Sequence, residues 1–394
     1  MNIKELKETV KGEVDAQRAE LTELSLRIHD NPELGLNEVK AAQWLTEYLE
    51  ERGFQLERGI CQLPTAFRAA CGTKGPTVAF MAEYDALPKL GHACGHNIIA
   101  TAALGAAVAM KAVLGKTGGT IVVMGTPAEE IIGGKSFMVK RGGFAGIDAA
   151  LMVHPGVRDT AITSALALVG LDVEFFGRAA HAAARPEDGI NALEALIMSF
   201  NAINSLRQHI KDRARIHGVI TDGGEAANIV PAHAAGSFLV RAEDDDYLET
   251  LRERVLACFT GAATATGARL EYKWAEGRYA ALRTNLTIAG LYGANMESLG
   301  RRIYAPRNDR GLGSTDMGNV SVIMPAIHPS LAIAPLGVSA HSPEFEKAAA
   351  SEEAHRGMAI GAKALAMTAI DLLAIPENLA RAKEEFLRRG EAEG

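Results

Sequence analysis

Apolar residues recur at helical spacing from Ile3 to Phe54, with a break at Asn31-Pro32, where the proline excludes the residue before it from the α region. Two amphipathic helices are predicted there. The segments PTVAFMAEY (76–84) and TIVVMG (120–125) are short continuous apolar runs, the second rich in β-branched residues, and predict buried strands. They bracket an alanine-rich stretch after Asn97 that reads as a buried helix. DAALMVH (148–154) predicts a third strand after another helical stretch. Strands alternating with helices imply a mostly parallel α/β sheet, whose polar motifs then sit at strand ends.

After about residue 167 the order of elements changes. A strand Val169 to Phe176, a helix Gly189 to Ile210, strands Ala214 to Thr221 and Gly236 to Arg241, a helix Asp246 to Thr264 and a strand Arg269 to Trp274 follow in turn. This β-α-β-β-α-β order is that of a ferredoxin-like α+β domain, inserted at 168–279 and dividing an α/β domain into 1–167 and 280–394. In the second part, the run Val320 to Ile327 predicts a strand and Glu352 to Leu373 a helix. From Pro376 the chain is charged enough to fray or lie on the surface.

The 394 residues are 48% hydrophobic and 23% charged, as in ordinary globular proteins, and the length suits two or three domains. The balance of 41 basic and 48 acidic side chains leaves a net charge of −7, with the basic residues scattered. That pattern gives no footprint for nucleic acid or an anionic membrane. MNIKELKETVKGEVDAQRAEL has no apolar signal-peptide core, and Ile98 to Met110, among the most apolar stretches, is broken by Gly105 and short of a membrane span. Cytoplasmic residence is the expectation. Four cysteines, at 61, 71, 94 and 258, are no disulfide framework.

GHACGHN (91–97) places His92, Cys94 and His96 within five residues of a Gly-rich turn. Imidazole and thiolate are the donors that zinc and other first-row divalent ions prefer. The alternative is a turn histidine beside a buried cysteine. TPAEE (126–130) puts two carboxylates at a strand end, where one can ligate a metal while the other acts as general base. Acidic residues in a first helical turn are the alternative there. His154, closing its strand, and AHSPEF (340–345) add imidazoles from two further segments, and Glu83-Tyr84-Asp85 offers carboxylates to orient a ligating imidazole.

Taken as a set, these segments resemble one family. IHDNPELGLNE (28–38), AEYDALP (82–88), GHACGHN, TPAEE, HPG (154–156), GRAAHAA (177–183), NIVP (228–231), GSTDMGNV (313–320) and AHSPEF follow the order found in the metallopeptidases that include carboxypeptidase G, aminoacylase, auxin-conjugate amidohydrolases and p-aminobenzoyl-glutamate hydrolase. The GHACGH form is similar to the amidohydrolase branch. The resemblance implies a dinuclear-metal aminopeptidase-like catalytic domain with the inserted domain as lid and homodimer interface. It implies two divalent metal ions, Mn²⁺ or Zn²⁺, with Cys94, His96, Glu130, His154 and His341 as ligands and Asp85 beside them. It further implies Glu129 as general base, His181 as oxyanion donor, in cis or in trans, and Asn228 and Arg241 as contacts to a small-molecule substrate. His92 is left to the loop. Glu83 and Asn97 depart from the residues many relatives carry, which bears on metal preference.

The activity implied is hydrolysis of the amide bond of an N-acyl or N-aroyl amino acid, or of a small dipeptide. Hydrolytic removal of an amino group from an activated aromatic ring on the same metals is one alternative. A non-catalytic binding protein that keeps the fold is another.

Overall fold

The structure, a computed structural model, describes residues 2–72, 74–306 and 313–392. Among them run twelve strands: β1 Gln55–Arg58, β2 Phe67–Gly72, β3 Thr77–Ala82, β4 Thr120–Gly125, β5 Ala149–Leu151, β6 His154–Gly156, β7 Ala167–Phe176, β8 Arg215–Asp222, β9 His233–Ala242, β10 Arg269–Tyr279, β11 Ala326–Ile327 and β12 Ser330–Ala332. The chain divides into two compact units. One comprises the residues up to Ser164, those from Leu282 and those from Asn319 onward; the other comprises Ala165–Ala281 and the residues leading to Gly318.

The first unit is built on a six-stranded sheet of order β1-β2-β4-β3-β5-β11. β3 pairs in parallel with β4 and β5, and β5 with β11, whereas β2 and β1 join antiparallel at one edge. Thr77 faces Thr120 and Ala82 faces Gly125, so β3 and β4 end level. The segments Glu83-Tyr84-Asp85 and Thr126 to Glu130 therefore leave the sheet side by side, at the strand ends where α/β folds place their chemistry. Helix His96–Lys111 is mostly apolar and buried along nearly its whole length, with Ile98, Leu104 and Met110 fully buried. Helices Ile3–His29 and Glu352–Leu373 bury Leu21, Ile28, Leu365 and Ile370 in the same core. Each such side chain stabilises the fold by about 1.5–3 kcal/mol.

The second unit is the four-stranded antiparallel sheet β10-β7-β9-β8, with helices Ala192–Leu206 and Asp245–Thr266. Alternate residues of β7 (Val169, Leu171, Val173, Phe175) meet Phe238 and Phe259 in its core. The element order is the split β-α-β pattern of a ferredoxin-like α+β fold.

Three local expectations are corrected. Val320 to Ile327 is not one strand: a helical turn, Met317–Ser321, comes first, and only Ala326–Ile327 pairs. Val320, Met324, Ala326 and Ile327 are buried whichever element carries them, so periodicity over so short a run does not distinguish the two forms. The segment from Pro376 is a docked helix, Pro376–Ala392, that buries Leu379 and Ala382 and receives Asn285 Nδ2 on the Ala382 carbonyl at 2.9 Å. Finally, His154 does not close β5; it opens β6, which pairs with β12 in a separate two-stranded sheet.

Candidate metal centre and catalytic site

The turn GHACGH joins the exit of β3 to the buried helix. Gly95 stands at its N-cap with φ 78, and a Cβ there would lie 2.8 Å from Pro155 Cγ. The bare glycine lets Pro155 press against the turn, which brings Cys94 Sγ to 3.5 Å from His154 Nε2. His96 Nδ1–H donates to the Asp85 carbonyl at 2.8 Å and lies 3.1 Å from Asp85 Oδ1, and His154 Nδ1–H donates to the Pro155 carbonyl at 2.8 Å. Both rings thereby present Nε2 as a lone pair. Asn97 is turned elsewhere: its amide donates to Ser25 Oγ and the Ala349 carbonyl, each at 3.0 Å, and fastens the core helix in place.

The two carboxylates of TPAEE follow Ala128, which is held in the left-handed region at φ 60. A non-glycine residue there costs about 1–3 kcal/mol and persists only where its surroundings fix it. Glu38 Oε1 accepts the Ala128 N–H at 2.7 Å, and its Oε2 accepts from Thr65 Oγ at 2.9 Å. Gly35 packs so closely that a Cβ would stand 2.9 Å from Ala128 Cα. Beyond this clamp, Asp85 Oδ2 accepts the Glu130 N–H at 2.9 Å. Glu130 Oε1 then lies 3.3 Å from His341 Nε2 and 3.8 Å from His96 Nε2. Glu129, beside it, is buried.

Burial pushes the Glu38 carboxyl up to about 7, with nearby Asp85 adding to the effect against the backbone hydrogen bonds. The folded pKa exceeds the ordinary 4.5, so the folded protein holds the extra proton between those values. Stability that is complete below pH 4.5 is lost as pH rises through about 7. Glu38→Gln keeps both hydrogen bonds, its oxygen accepting from Ala128 and its amide donating to Thr65. Relative to the wild type it is expected to gain about 2–3 kcal/mol between pH 5 and pH 8. Urea unfolding of the chelator-treated proteins at both values measures this; equal pH dependence would show that Glu38 does not carry it.

Among the described residues, donor atoms lie within 4.8 Å of one another inside each of three groups: Cys94, His96 and His154; Cys94, Glu130 and His341; and Glu83, His96 and Glu129. Cys94 belongs to two of them. Glu83 Oε1, His96 Nε2 and Glu130 Oε1 are buried with no hydrogen-bond partner. Burial pushes the Cys94 thiol up to about 12, partly countered by His96. A buried thiol, converging imidazole lone pairs and orphaned carboxylate oxygens are what a cation satisfies, so the donors fit divalent metal ions.

The structure thus gathers Asp85, Cys94, His96, Glu129, Glu130, His154 and His341 in the first unit. His181, Asn228 and Arg241 lie in the second. There His181 pairs with Ile229 across a β-bridge, and the Ala182 N–H donates to the Asn228 carbonyl at 3.0 Å. His181 Nδ1 accepts from the N–H groups of Ala183 and Ala184, each at 3.2 Å, which leaves Nε2 as the donor nitrogen. Arg241, on β9, donates to Ser314 Oγ at 3.0 Å.

Glu83, read from the sequence as a carboxylate to orient a ligating imidazole, and His92, left to the loop, lie at the site together with Lys135 and His328, to which the sequence assigns nothing. Glu83, 1% exposed, reaches the cluster directly, its second oxygen paired with Lys135, itself fully buried. His328 lies against His154 with ring centroids 5.0 Å apart. His92 is likewise buried, pushed down to about 3 by burial and by neighbouring His96 and His29. No spacing rule announces Lys135 or His328, because chain topology alone brings them in.

Residues 165–265 match the model of a peptidase dimerisation domain. Over 97% of its length the chain is 36% identical to the Xaa-Arg dipeptidase of Mus musculus, covering 92% of that protein. It is 30% identical to one of the p-aminobenzoyl-glutamate hydrolase subunits of Escherichia coli (strain K12), over 91% of this chain and 90% of the relative. Among solved structures, a Bacillus subtilis dinuclear metal-binding peptidase of the M20 family superposes with a TM-score of 0.69 at 20% identity, over 91% of this chain and 99% of that one.

Proposed function

Because the chain belongs to the M20 family of metal-dependent peptidases and amidohydrolases, an enzyme acting on C–N bonds, we propose that Cys94, His96, Glu130, His154 and His341 hold two divalent metal ions for cleavage of a dipeptide or N-acyl amino acid. The observation that carries this reading is the sharing of Cys94 between two donor groups, with Glu129 in the third. The bound ions supply Lewis acidity toward the amide carbonyl and the attacking water. Glu129 takes the proton of that water and passes it to the leaving nitrogen. His181, through Nε2–H, donates to the tetrahedral oxyanion, and Asn228 and the planar guanidinium of Arg241 hold the polar end of the substrate.

Manganese and zinc are the ions proposed, since a set of thiolate, imidazole and carboxylate suits either. The protein is proposed to be a homodimer joined through its second unit, where β8 is a sheet edge with Val219 62% and Ile220 45% exposed. Among the described residues no single helix is long and apolar enough to cross a membrane. The proposed location is the cytoplasm, where reducing conditions keep the Cys94 thiol available.

Metal-reconstituted protein is expected to hydrolyse members of a panel of dipeptides ending in Arg or Lys, β-alanyl dipeptides, and aminobenzoyl, indoleacetyl and acetyl amino acids. Dipeptides ending in Arg come first, because the mouse relative bears the name Xaa-Arg dipeptidase. Mass spectrometry should find amine and carboxylic acid in equal amounts, and chelation should stop turnover. Ammonia without a carboxylic acid would replace amide hydrolysis by removal of a ring amino group. Turnover of nothing would point to a binding protein.

A further inference from the structure

The five proposed ligands leave unexplained a carboxylate that is as deeply buried as they are. Glu83 and Asp85 extend from β3 toward the cluster, while Tyr84 between them turns away and donates its hydroxyl to the Thr65 carbonyl at 2.6 Å. We propose that Glu83 binds metal directly, adding a carboxylate donor to the ion taken by His96, and that Lys135 holds it in place. This rests on the reading of the five ligands given above.

Glu83 Oε1 lies 3.1 Å from His96 Nε2, yet both atoms lack a hydrogen-bond partner. They stand side by side; neither is aimed at the other. Donors about 2.0–2.2 Å from one ion, at angles between square and tetrahedral, are separated by roughly 2.8–3.6 Å, so the spacing is that of two ligands of one centre. The 3.5 Å between Cys94 Sγ and His154 Nε2 agrees with the longer bond to sulfur. His96 Nδ1 is committed to Asp85, so Nε2 is its metal-facing atom.

The other half of the Glu83 carboxylate is accounted for as well. Oε2 pairs with Lys135 Nζ, whose side chain is fully buried in the helix Gly134–Lys140 that follows the TPAEE turn. A buried ammonium needs a compensating charge, and Glu83 supplies it. The pair therefore fixes which oxygen turns toward the ion and makes Glu83 a one-oxygen donor. Lys135 acts through Glu83 and is a positioning residue. A carboxylate added beside the His96 imidazole hardens the donor set of that ion, which makes Glu83 a determinant of how well manganese competes with zinc there.

Cobalt-substituted protein tests this without reference to turnover. The wild type should bind two cobalt ions per chain by elemental analysis after equilibrium dialysis, with a near-ultraviolet thiolate-to-cobalt charge-transfer band from Cys94. Glu83→Gln should weaken one of the two ions about a hundredfold and change the intensity of the visible d–d bands, which report coordination number. Lys135→Met should weaken the same ion about tenfold, the size expected for a residue behind a ligand. Because Glu83→Gln removes the negative charge that pairs with buried Lys135, the double variant Glu83→Gln/Lys135→Met removes both charges of the pair and should fold while still losing that ion. A double variant with wild-type stoichiometry, affinity and d–d spectrum would overturn the role of Glu83 while the five-ligand reading stood. A wild type lacking the thiolate band would overturn that reading, and this proposal with it.

Discussion

Replacing Glu129 with glutamine is expected to lower kcat by about a thousandfold, within the range a lost general base costs, while both metal ions stay bound. The expectation follows from how the two adjacent carboxylates differ in their surroundings. Glu130 has its backbone N–H tied to Asp85 and its oxygen within 3.3 Å of His341 Nε2, so its position is set by donors on both sides. Glu129 shares the same clamped turn, yet it falls in the donor group with Glu83 and His96, apart from the two that contain Cys94. Of those three it is the one not assigned to an ion, so it can take a proton from water there without being needed to hold the metal. Glutamine has the same shape and no basic oxygen, so the change falls on kcat, with KM altered little. The comparison is with Glu130→Gln, which should lose metal. Steady-state kinetics alongside elemental analysis separate the two, and a Glu129→Gln enzyme within tenfold of wild-type kcat would remove Glu129 as the base.

The parts of this site that the sequence announces are those carried by one short segment. GHACGHN and TPAEE place two ligands and two carboxylates by local spacing, and the strands before them are legible as apolar runs, so the strand-end location follows. Glu83 is legible as an acidic tip but not as a donor, because its partner Lys135 lies 52 residues on and meets it only through the level ends of β3 and β4. Glu38 is similar: 90 residues separate it from the Ala128 N–H it accepts, and nothing local to NPELGLNE says that it supports a strained turn. The short apolar run after Gly318 reads as a strand only because burial, which a helical turn shares, makes it apolar. Pro376 to Ala392 misleads for the opposite reason, since its few buried positions, among them Leu379 and Ala382, are outnumbered by charges.

Replacing Cys94 with alanine is expected to cost both ions together, where His341→Ala costs one. Cys94 Sγ is the atom common to the His96–His154 group and the Glu130–His341 group, so its loss takes a donor from each. The thiol is 9% exposed and pushed up to about 12 by burial, so metal-free protein carries it as a small neutral apolar group. Alanine should fill that role with little change in the metal-free fold, and the difference should emerge only when metal is added. At free metal a hundredfold above its dissociation constant, each bound ion stabilises the wild type by about 2.7 kcal/mol. That metal-dependent gain should vanish in Cys94→Ala and be halved in His341→Ala, with kcat of the cysteine variant down by at least about a thousandfold. Denaturant unfolding with and without Zn²⁺, together with metal content after dialysis, reads both effects. Gly95→Ala should reproduce part of the loss without touching a ligand, because a Cβ 2.8 Å from Pro155 Cγ must push His154 away from the cysteine. A Cys94→Ala protein that retained two tightly held ions would show that the thiolate is not shared, and the centre would then have to be rebuilt on its imidazoles and carboxylates alone.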